Sequence, residues 1–409
     1  MTSDVAGLAG ALVLLVLAVP VLGWGLYLGA LALLSWPPRT PVAPSPPSLK
    51  FDFIVPAHNE ALGIAQTVKS LEAVDYPREL FRVIVVADNC SDDTAKKARE
   101  AGATVLERQN KDLRGKGYAL AHAFEHVLGD AAHATDAVVV VDADTLISRN
   151  LLHAFAARLV AGNVAVQAHY GVQNPNASWR TRLMKIALAM FHQVRSIGRE
   201  RLKVSAGLRG NGMCFRTSLL REVPHDAYSL VEDLEYGIRL GRRGFRVAYA
   251  WEADVLGEMV SGGKASVSQR NRWEDGRAQM LKLHGWPLMR DALKARSGLL
   301  FDLAMDVLVP PLSRVVAFAV LGAFASALLM AFTGHGVAAS LAFGLSLWGV
   351  GLYVFAGWLH SKTGLRGLVD LALAPVYVAW KVVLAFSRPK GQKKGEWVRT
   401  TREGEQPRP

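Results

Sequence analysis

Two aspartates that follow a run of β-branched residues could bind a divalent cation. The apolar run Ala137–Val141 ends in Asp142-Ala143-Asp144. Two carboxylates one residue apart offer the hard oxygen ligands that Mg²⁺ and Mn²⁺ prefer, and a cation held there could bridge a diphosphate. Aspartates at strand ends also cap helices. The pair alone therefore leaves both interpretations open.

Two further polar segments follow predicted strands and could contact a nucleotide. Asp88 could accept a hydrogen bond from the imide N–H of uracil, or it could cap the next helix, while Asp92-Asp93 is predicted to cap that helix. Lys116 lies between glycines in Arg114-Gly115-Lys116-Gly117, and a cation on a flexible backbone suits phosphate contact. A solvated basic loop would have the same composition.

Two later motifs could act on an acceptor and a leaving group. Glu232-Asp233 opens an amphipathic stretch and could supply a general base for an acceptor hydroxyl, or a helix N-cap. Gln269-Arg270-Asn271-Arg272-Trp273 places an amide, a guanidinium and an indole within five residues. Arg272 could bind phosphates and Trp273 could stack on a sugar. The alternative is an ordinary surface helix, in which this combination of residues would arise by coincidence.

In this order the motifs resemble family 2 glycosyltransferases, especially the membrane-embedded ones related to cellulose, chitin, hyaluronan and poly-N-acetylglucosamine synthases. The resemblance covers roughly residues 51–402. The matching segments are Pro56-Ala57-His58-Asn59-Glu60, Asp88, Gly115-Lys116-Gly117, Asp142-Ala143-Asp144, Gly210-Asn211-Gly212, Glu232-Asp233 and the QxxRW motif at Gln269 to Trp273.

The resemblance implies an inverting GT-A enzyme that uses a UDP-sugar and Mg²⁺ or Mn²⁺. It implies that the nucleotide-sugar contacts Pro56, Ala57, Glu60, Asp88, Lys116, Asp142, Ala143 and Asp144, with Asp144 as the metal ligand. It assigns catalysis to Asp233 with Glu232, and the acceptor and diphosphate to Gly210, Asn211, Gly212, Gln269, Arg272 and Trp273. Many members have Gly-Thr-Gly or a cysteine-containing segment where this chain has Gly210-Asn211-Gly212, which leaves the acceptor open.

The elements that must position these residues alternate between strand and helix. Strands are predicted at Phe51–Val55, Phe81–Ala87, Ala103–Leu106 and Ala137–Val141, with helical patterns between them. This alternation predicts an α/β fold with a mostly parallel, Rossmann-like sheet. Ligands bind at the carboxyl ends of the strands in such sheets, where the polar motifs lie.

Long apolar segments at the two ends predict a membrane protein. Val5 to Leu34 is uncharged and long enough for an uncleaved spanning anchor, and Val315–Phe332 with Val337–Leu359 forms a predicted helical hairpin. Residues 284–306 are predicted to form an amphipathic interfacial helix. A third apolar run, residues 365–386, contains Asp370 and Lys381, so it is predicted to lie in the interface or re-enter rather than span.

The predicted organisation places one catalytic domain between these segments. It comprises an anchor (residues 1–36), a Pro-rich linker (37–50), the GT-A domain (51–283), the interfacial region (284–306), membrane helices (307–387) and a basic tail (388–409). Basic residues follow the anchor, so the positive-inside rule predicts a multi-pass protein of the cell (inner) membrane with its catalytic domain in the cytoplasm. The net charge of +12 fits contact with membrane lipid, and without a zinc-finger or RNP-type pattern nucleic acid is not an expected partner.

Three functions are compatible with these features. The favoured one is a polysaccharide synthase-like enzyme that extends a β-linked chain from UDP-glucose or UDP-N-acetylglucosamine. The alternative is a glycolipid synthase that adds one or a few sugars to a membrane lipid. A catalytically inactive scaffold or sugar sensor is disfavoured because the candidate base Asp233 and the candidate metal ligand Asp144 are both present.

Overall fold

Runs of β-branched and aromatic residues form an eight-stranded mixed sheet at the centre of the part of the chain between the long apolar helices. The computed structural model describes residues 2–36, 46–259 and 263–375, with only the backbone of residues 2–3 and 263–273. The strand order is β3-β2-β1-β4-β7-β6-β8-β5. The strands are β1 Phe51–Ala57, β2 Phe81–Asp88, β3 Thr104–Arg108, β4 Ala137–Val140, β5 Thr145–Ile147, β6 Ala165–Val172, β7 Met213–Arg216 and β8 Ala248–Gly257.

The four strands predicted from the sequence are confirmed, and they form one parallel half of the sheet. β1 pairs in parallel with both β2 and β4, and β2 pairs in parallel with β3. β7 then runs antiparallel to both of its neighbours, β4 and β6. β6 and β8 are parallel, and β5 is antiparallel to β8 at the edge. Parallel pairings thus predominate, as predicted.

Helices cover both faces of the sheet because alternate strand residues are apolar on both sides. In β1, Phe53 and Val55 are fully buried in one layer and Ile54 in the other. Each fully buried side chain of this size contributes about 1.5–3 kcal/mol to folding. One layer contains α2 Ile64–Glu72, α3 Thr94–Glu100 and α5 Leu151–Val160; the other contains α4 Lys116–Gly129, α8 Thr217–Glu222 and α9 Glu232–Arg242.

Three helices of the described residues are long and apolar enough to cross a membrane, and they pack together. They are α1 Thr2–Leu34, α12 Leu312–Thr333 and α13 Val337–Ser361, so the predicted anchor and hairpin are confirmed as helices. α1 approaches α13 closely, since a Cβ atom on Gly29 would lie 2.9 Å from Gly349 Cα. The Asp4 carboxylate lies 3.0 Å from His335 at one end of the bundle. At the other end the Arg201 guanidinium donates to Trp36 O over 2.7 Å.

The region between the catalytic sheet and these helices differs from the prediction. Residues 284–306 are not one helix, because α10 Gly263–Ala295 ends there and α11 Gly298–Leu308 begins, with Arg296 at φ 48° between them. Ser297 caps the second helix, accepting a hydrogen bond from Leu300 N over 3.3 Å. The other helices are α6 Trp179–Leu188, a π-helical segment Ala189–Val194, α7 Arg195–Arg201 and α14 Gly364–Ala372.

α14 forms the first part of the third predicted membrane segment and is held against α6. Asp370 accepts from Arg182 Nε over 2.5 Å and is 5% exposed, so its charge is paired within the protein. The rest of that segment and the basic tail lie outside the described residues, as do residues 37–45 of the Pro-rich linker.

Candidate active site

The loops after β1 and β2 are tied together at the carboxyl edge of the sheet. His58 Nδ1 lies 2.7 Å from Asp88 O, and Asn59 Oδ1 accepts from Ser91 N over 2.8 Å. Asn59 and Asn89 both adopt positive φ, at 57° and 51°, which asparagine tolerates better than most residues. The predicted residues Pro56, Ala57 and Glu60 line a large open cavity here, together with Asp88.

The Asp88 carboxylate forms an ion pair with Arg108 and does not cap a helix. Its Oδ1 accepts from Arg108 Nη1 over 2.6 Å and from Asn89 Nδ2 over 3.1 Å. The N-cap position of α3 is Asp93, whose side chain makes no capping hydrogen bond, while Asp92 accepts from the first helical N–H, Thr94 N, over 3.0 Å. The capping alternative for Asp88 is therefore wrong, and of the predicted Asp92-Asp93 pair only Asp92 bonds the helix N-terminus.

Lys116 is the cation around which the acidic residues of the cavity gather. Its Nζ lies 2.5 Å from Asp142 Oδ1, 2.5 Å from Gly210 O and 3.6 Å from Glu232 Oε1. Burial opposes its charge, but the Asp142 and Glu232 carboxylates hold the pKa of Lys116 above its usual value. Lys116 is therefore not part of a solvated basic loop.

The start of α4 requires glycine on both sides of Lys116. Gly115 adopts φ 128°, a conformation that other residues rarely adopt. A Cβ atom on Gly117 would overlap Ala227 O, so glycine lets α4 approach the segment before α9. The neighbouring Tyr118 and Tyr228 rings stack with centroids 4.2 Å apart.

The Asp142-Ala143-Asp144 segment joins β4 to β5 and precedes no helix, so the capping alternative is wrong for this pair. Asp142, Ala143 and Asp144 all line the cavity. Among the residues that the structure describes, no group of three or more His, Cys, Asp or Glu side chains could hold a metal ion alone. Two carboxylate residues at an open cavity nevertheless fit Mg²⁺ or Mn²⁺, since such ions commonly take their remaining ligands from substrate phosphates and water.

Glu232 and Asp233 lie in the first turn of α9 and line the same cavity. The N-cap position is Val231, so neither carboxylate is the N-cap. Burial raises the pKa of Glu232 to about 7 although Lys116 opposes the shift, and burial also raises the pKa of Asp233. A carboxyl that titrates near neutral pH beside a second carboxylate is a typical acid–base arrangement.

The Gly210-Asn211-Gly212 segment supports the site from behind. Gly210 lines the cavity, and a Cβ atom there would lie 3.5 Å from Asp233 Oδ2. Asn211 is 0% exposed. Its Oδ1 accepts from Asp142 N over 3.1 Å, and its Nδ2 donates to Thr145 Oγ1 over 2.8 Å. The prediction that Asn211 contacts the acceptor or diphosphate is therefore wrong, because its side chain holds the Asp142–Thr145 segment.

Gly212 is also absent from the cavity wall. Its N–H donates to Val140 O over 2.9 Å, and its carbonyl accepts from Ala168 N over 2.8 Å. A Cβ atom on Gly212 would lie 2.6 Å from the Val255 side chain, so this glycine lets the strands pack closely. The prediction of an acceptor contact is wrong for Gly212 as well.

The side chains of Gln269, Arg272 and Trp273 lie outside what the structure describes, although their backbone belongs to α10. The next turns of α10 reach the cavity through Asp275, Arg277 and Ala278. The roles predicted for the three motif residues remain predictions.

The cavity also contains residues that sequence reasoning did not select. It has a volume of about 2380 Å³ and continues from the acidic residues to an apolar wall next to the membrane helices. That wall includes Leu183, Met184, Met190, Leu312 and Leu371. Phe191, Arg195, Arg209, Arg277 and Asp306 lie in the same cavity. The sequence did contain one signal for this part of the cavity. Asp302 and Asp306 lie one turn apart in an apolar stretch, and ionisable residues in such stretches are often functional.

Fold and site together define a GT-A glycosyltransferase. The chain belongs to glycosyltransferase family 2, because the family model "Glycosyltransferase like family 2" matches residues 46–276, more than half of the chain. The fold resembles that of a mannosyltransferase from Pyrobaculum calidifontis, solved with GDP-Man and Mn²⁺. The TM-score is 0.52 at 19% identity, over 86% of this chain and 99% of the other.

Similar curated proteins have different acceptors. A probable glycosyltransferase, YdaM of Bacillus subtilis, is 27% identical over 56% of this chain and 55% of its own length. The cellulose synthase catalytic subunit of Pseudomonas fluorescens is 24% identical over 59% and 33%. The β-monoglucosyldiacylglycerol synthase of Trichormus variabilis is 28% identical over 64% and 57%. The chain spans about half the length of YdaM and about a third of the length of the cellulose synthase subunit. These relatives therefore do not determine its acceptor.

Proposed function

We propose that this protein transfers a sugar from a UDP-sugar, with inversion, to a hydroxyl of a lipid in the membrane. The observation that carries the proposal is the continuity of the cavity. One space joins Asp142, Asp144 and Asp233 to the apolar wall formed by Leu183, Met190 and Leu312. An acyl or prenyl chain held against that wall would place its polar end beside the acidic residues, because apolar surface is removed from water there.

The acid–base chemistry follows from the two carboxyls at the start of α9. Asp233 takes the proton of the attacking hydroxyl, a step typically worth about 10²–10⁴-fold in rate. Glu232, whose pKa burial raises to about 7, retains a proton for much of the time at neutral pH. Its partial neutrality limits the repulsion that would otherwise raise the pKa of Asp233 further.

The donor is held on the other side of the cation Lys116. Asp88, fixed by Arg108 at 2.6 Å, faces the nucleotide. Asp144, with Asp142 beside it, would hold Mg²⁺ or Mn²⁺, and such a cation would supply positive charge to neutralise the departing diphosphate. Lys116 orients Asp142 through its 2.5 Å contact and adds a second positive charge near the leaving group.

Extension of a polysaccharide is the second candidate, and the sequence favoured it. Sequence similarity to cellulose synthases supports that product, as similarity to glucosyldiacylglycerol synthases supports a lipid product. The apolar wall in the same cavity as the candidate base favours the lipid, because a β-linked glucan carries hydroxyl groups on every ring and buries less apolar surface there than an acyl chain. The geometry does not support an inactive scaffold. Asp142 and Glu232 lie against Lys116, and Asp233 lines the same cavity.

The three apolar helices support an integral membrane location with the catalytic domain in the cytoplasm. Helix α7 contacts the end of the bundle at Trp36 through Arg201, and Trp36 precedes the basic residues Arg39 and Lys50. Basic flanks favour the cytoplasmic side.

The test is transfer from a panel of labelled UDP-sugars in membranes that contain the full chain. We expect label in the organic extract as one or a few discrete glycolipids. Asp233→Asn should abolish it while retaining UDP-sugar binding, whereas the control Asp291→Asn, which lies outside the cavity and pairs with Arg242, should not change it. Label recovered only in a water-soluble polymer would replace the lipid proposal with the polysaccharide one, and full activity of Asp233→Asn would remove the assigned base.

A further inference from the structure

An excess of positive charge is buried between the catalytic domain and the membrane helices. Four arginines lie around Asp302 and Asp306 on α11. We call them the arginine cluster; they are Arg195, Arg199, Arg209 and Arg277. Asp306 lies 3.0 Å from Arg195 Nη1, 2.8 Å from Arg199 Nη2 and 3.8 Å from Arg209 Nη1. Arg277 donates to the backbone carbonyls of Asp306 and Val309 rather than to a carboxylate.

The charges do not balance in this cluster. Among the side chains that the structure describes, four guanidiniums face two carboxylates, and one positive charge remains in excess even when Asp233, which also acts on Arg209, is included. Arg209 is 8% exposed, and its buried Nε has no hydrogen-bond partner among the residues that the structure describes. Uncompensated buried charge is costly, and an unpaired buried donor adds about 1–3 kcal/mol. Burial and the neighbouring arginines lower the pKa of Arg277 to about 10, although Asp306 opposes the shift, so it remains charged at neutral pH.

One aromatic ring holds three of these arginines at the cavity. The guanidinium carbons of Arg209, Arg195 and Arg277 lie 4.4, 4.9 and 5.6 Å from the centroid of the Phe191 ring. Phe191 belongs to the π-helical segment, and such segments often occur at functional sites. The three arginines and Phe191 line the cavity that also contains Asp233 and the apolar wall.

We propose that the arginine cluster binds a phosphate group carried by the lipid acceptor. This inference rests on the proposed function, because it specifies the class of lipid whose hydroxyl is glycosylated. A phosphate would supply the missing negative charge and accept the unpaired Arg209 donor. The apolar wall would hold the chains of the same molecule. The diphosphate of the donor is the other source of this chemistry, and its expected position is beside Asp144 and Lys116.

Binding can be measured without any transfer. The full chain in a neutral detergent is titrated with didecanoyl phosphatidic acid and with didecanoylglycerol, which differ only in the phosphate, and the bound lipid is counted by native mass spectrometry. We expect phosphatidic acid to bind at least about tenfold more tightly, since a charge-assisted hydrogen bond is worth about 1.5–3 kcal/mol. Arg209→Gln should remove most of this preference, Arg209→Lys should retain part of it, and the exposed control Arg99→Gln should retain all of it.

Further arms separate the possible failures. UDP with Mn²⁺ should not displace phosphatidic acid, and Arg209→Gln should bind UDP like the unmodified protein. If UDP displaces the lipid, or if Arg209→Gln loses UDP binding as strongly as it loses lipid binding, the cluster belongs to the donor site and the inference is overturned. If Arg209→Gln does not fold, Arg277→Gln takes its place, because its hydrogen bonds are to carbonyls. Equal binding of both lipids overturns the inference even where transfer to a neutral lipid proceeds. Failure of the proposed function appears instead as no labelled lipid from any acceptor.

Discussion

Replacement of Asn211 by alanine should weaken metal binding without touching the acceptor. The Asn211 amide joins two residues on either side of Asp144: it accepts from the backbone Asp142 N over 3.1 Å and donates to the side-chain Thr145 Oγ1 over 2.8 Å. Thr145 and Asn211 are both 0% exposed, so the Thr145 hydroxyl loses its partner without access to water. Loss of residues that hold metal ligands in place typically lowers metal affinity about 10–100-fold.

The cost in stability follows from the same two hydrogen bonds. Each buried group left without a partner costs about 1–3 kcal/mol. The Asp142 amide is partly accessible and can take a water, so we expect about 2–4 kcal/mol in all. For a domain of this size that corresponds to a fall of roughly 5–15 °C in melting temperature.

The assay measures the Mn²⁺ concentration for half-maximal transfer, the KM of the donor and the KM of the acceptor, with melting followed by fluorescence. Asn163→Ala is the matched control, because its amide donates to Arg158 O over 3.0 Å and it does not line the cavity. It should cost about 1 kcal/mol and leave metal dependence unchanged. If Asn211→Ala raised only the KM of the acceptor, Asn211 would face the acceptor after all and our assignment would be refuted.

Three further predictions concern the same cavity. Because burial raises the pKa of the proposed base Asp233, kcat/KM should fall on acidification at a higher pH than the ordinary pKa of an aspartate would give. Glu232→Gln should move that fall to lower pH, since a negative charge beside Asp233 is lost; an unchanged profile would exclude the coupling. Chelation with EDTA should stop transfer, and Asp144→Ala should lose Mn²⁺-dependent UDP binding in calorimetry; binding that persists would remove Asp144 as the ligand. Gly117→Ala should lower unfolding stability by about 1–3 kcal/mol in thermal melts, because the new Cβ overlaps Ala227 O, and an unaltered melt would contradict that contact.

The parallel half of the sheet could be predicted because its strands are continuous β-branched runs. Residues 83–87 of β2 and Ala137–Val140 are buried on both faces and are therefore apolar throughout. The polar residues that follow them are visible as interruptions, which is why Asp88, Asp142 and Asp144 were selected. β7, only four residues long, and the edge strand β5, with three, have no comparable pattern, and their antiparallel pairing depends on tertiary contacts.

The arginine cluster could not be predicted because its members come from three separate segments and their carboxylate partners from a fourth. Arg195 lies 111 positions from its partner Asp306, and no local pattern connects α7 with α11. The charges of residues 284–306 pointed to an interfacial helix, since charged residues among apolar ones are typical of membrane surfaces. Asp302 and Asp306 are instead 4% and 3% exposed, because guanidiniums from the catalytic domain neutralise them. A helix break at Arg296 turns their segment towards those arginines.

The same cluster determines how the catalytic site meets the membrane. Tyr27 of α1 donates to Asp302 over 2.8 Å and accepts from Arg199 over 2.7 Å, while Arg195 donates to Tyr353 of α13 over 2.9 Å. Two apolar helices are therefore joined to the arginines that line the cavity. Because a buried network of this kind loses several kcal/mol when one member is removed, the catalytic domain cannot rotate freely relative to the helices. The position of Asp233 relative to the apolar helices is thus set by the fold, and a lipid acceptor of fixed chain length would meet the proposed base at a constant depth.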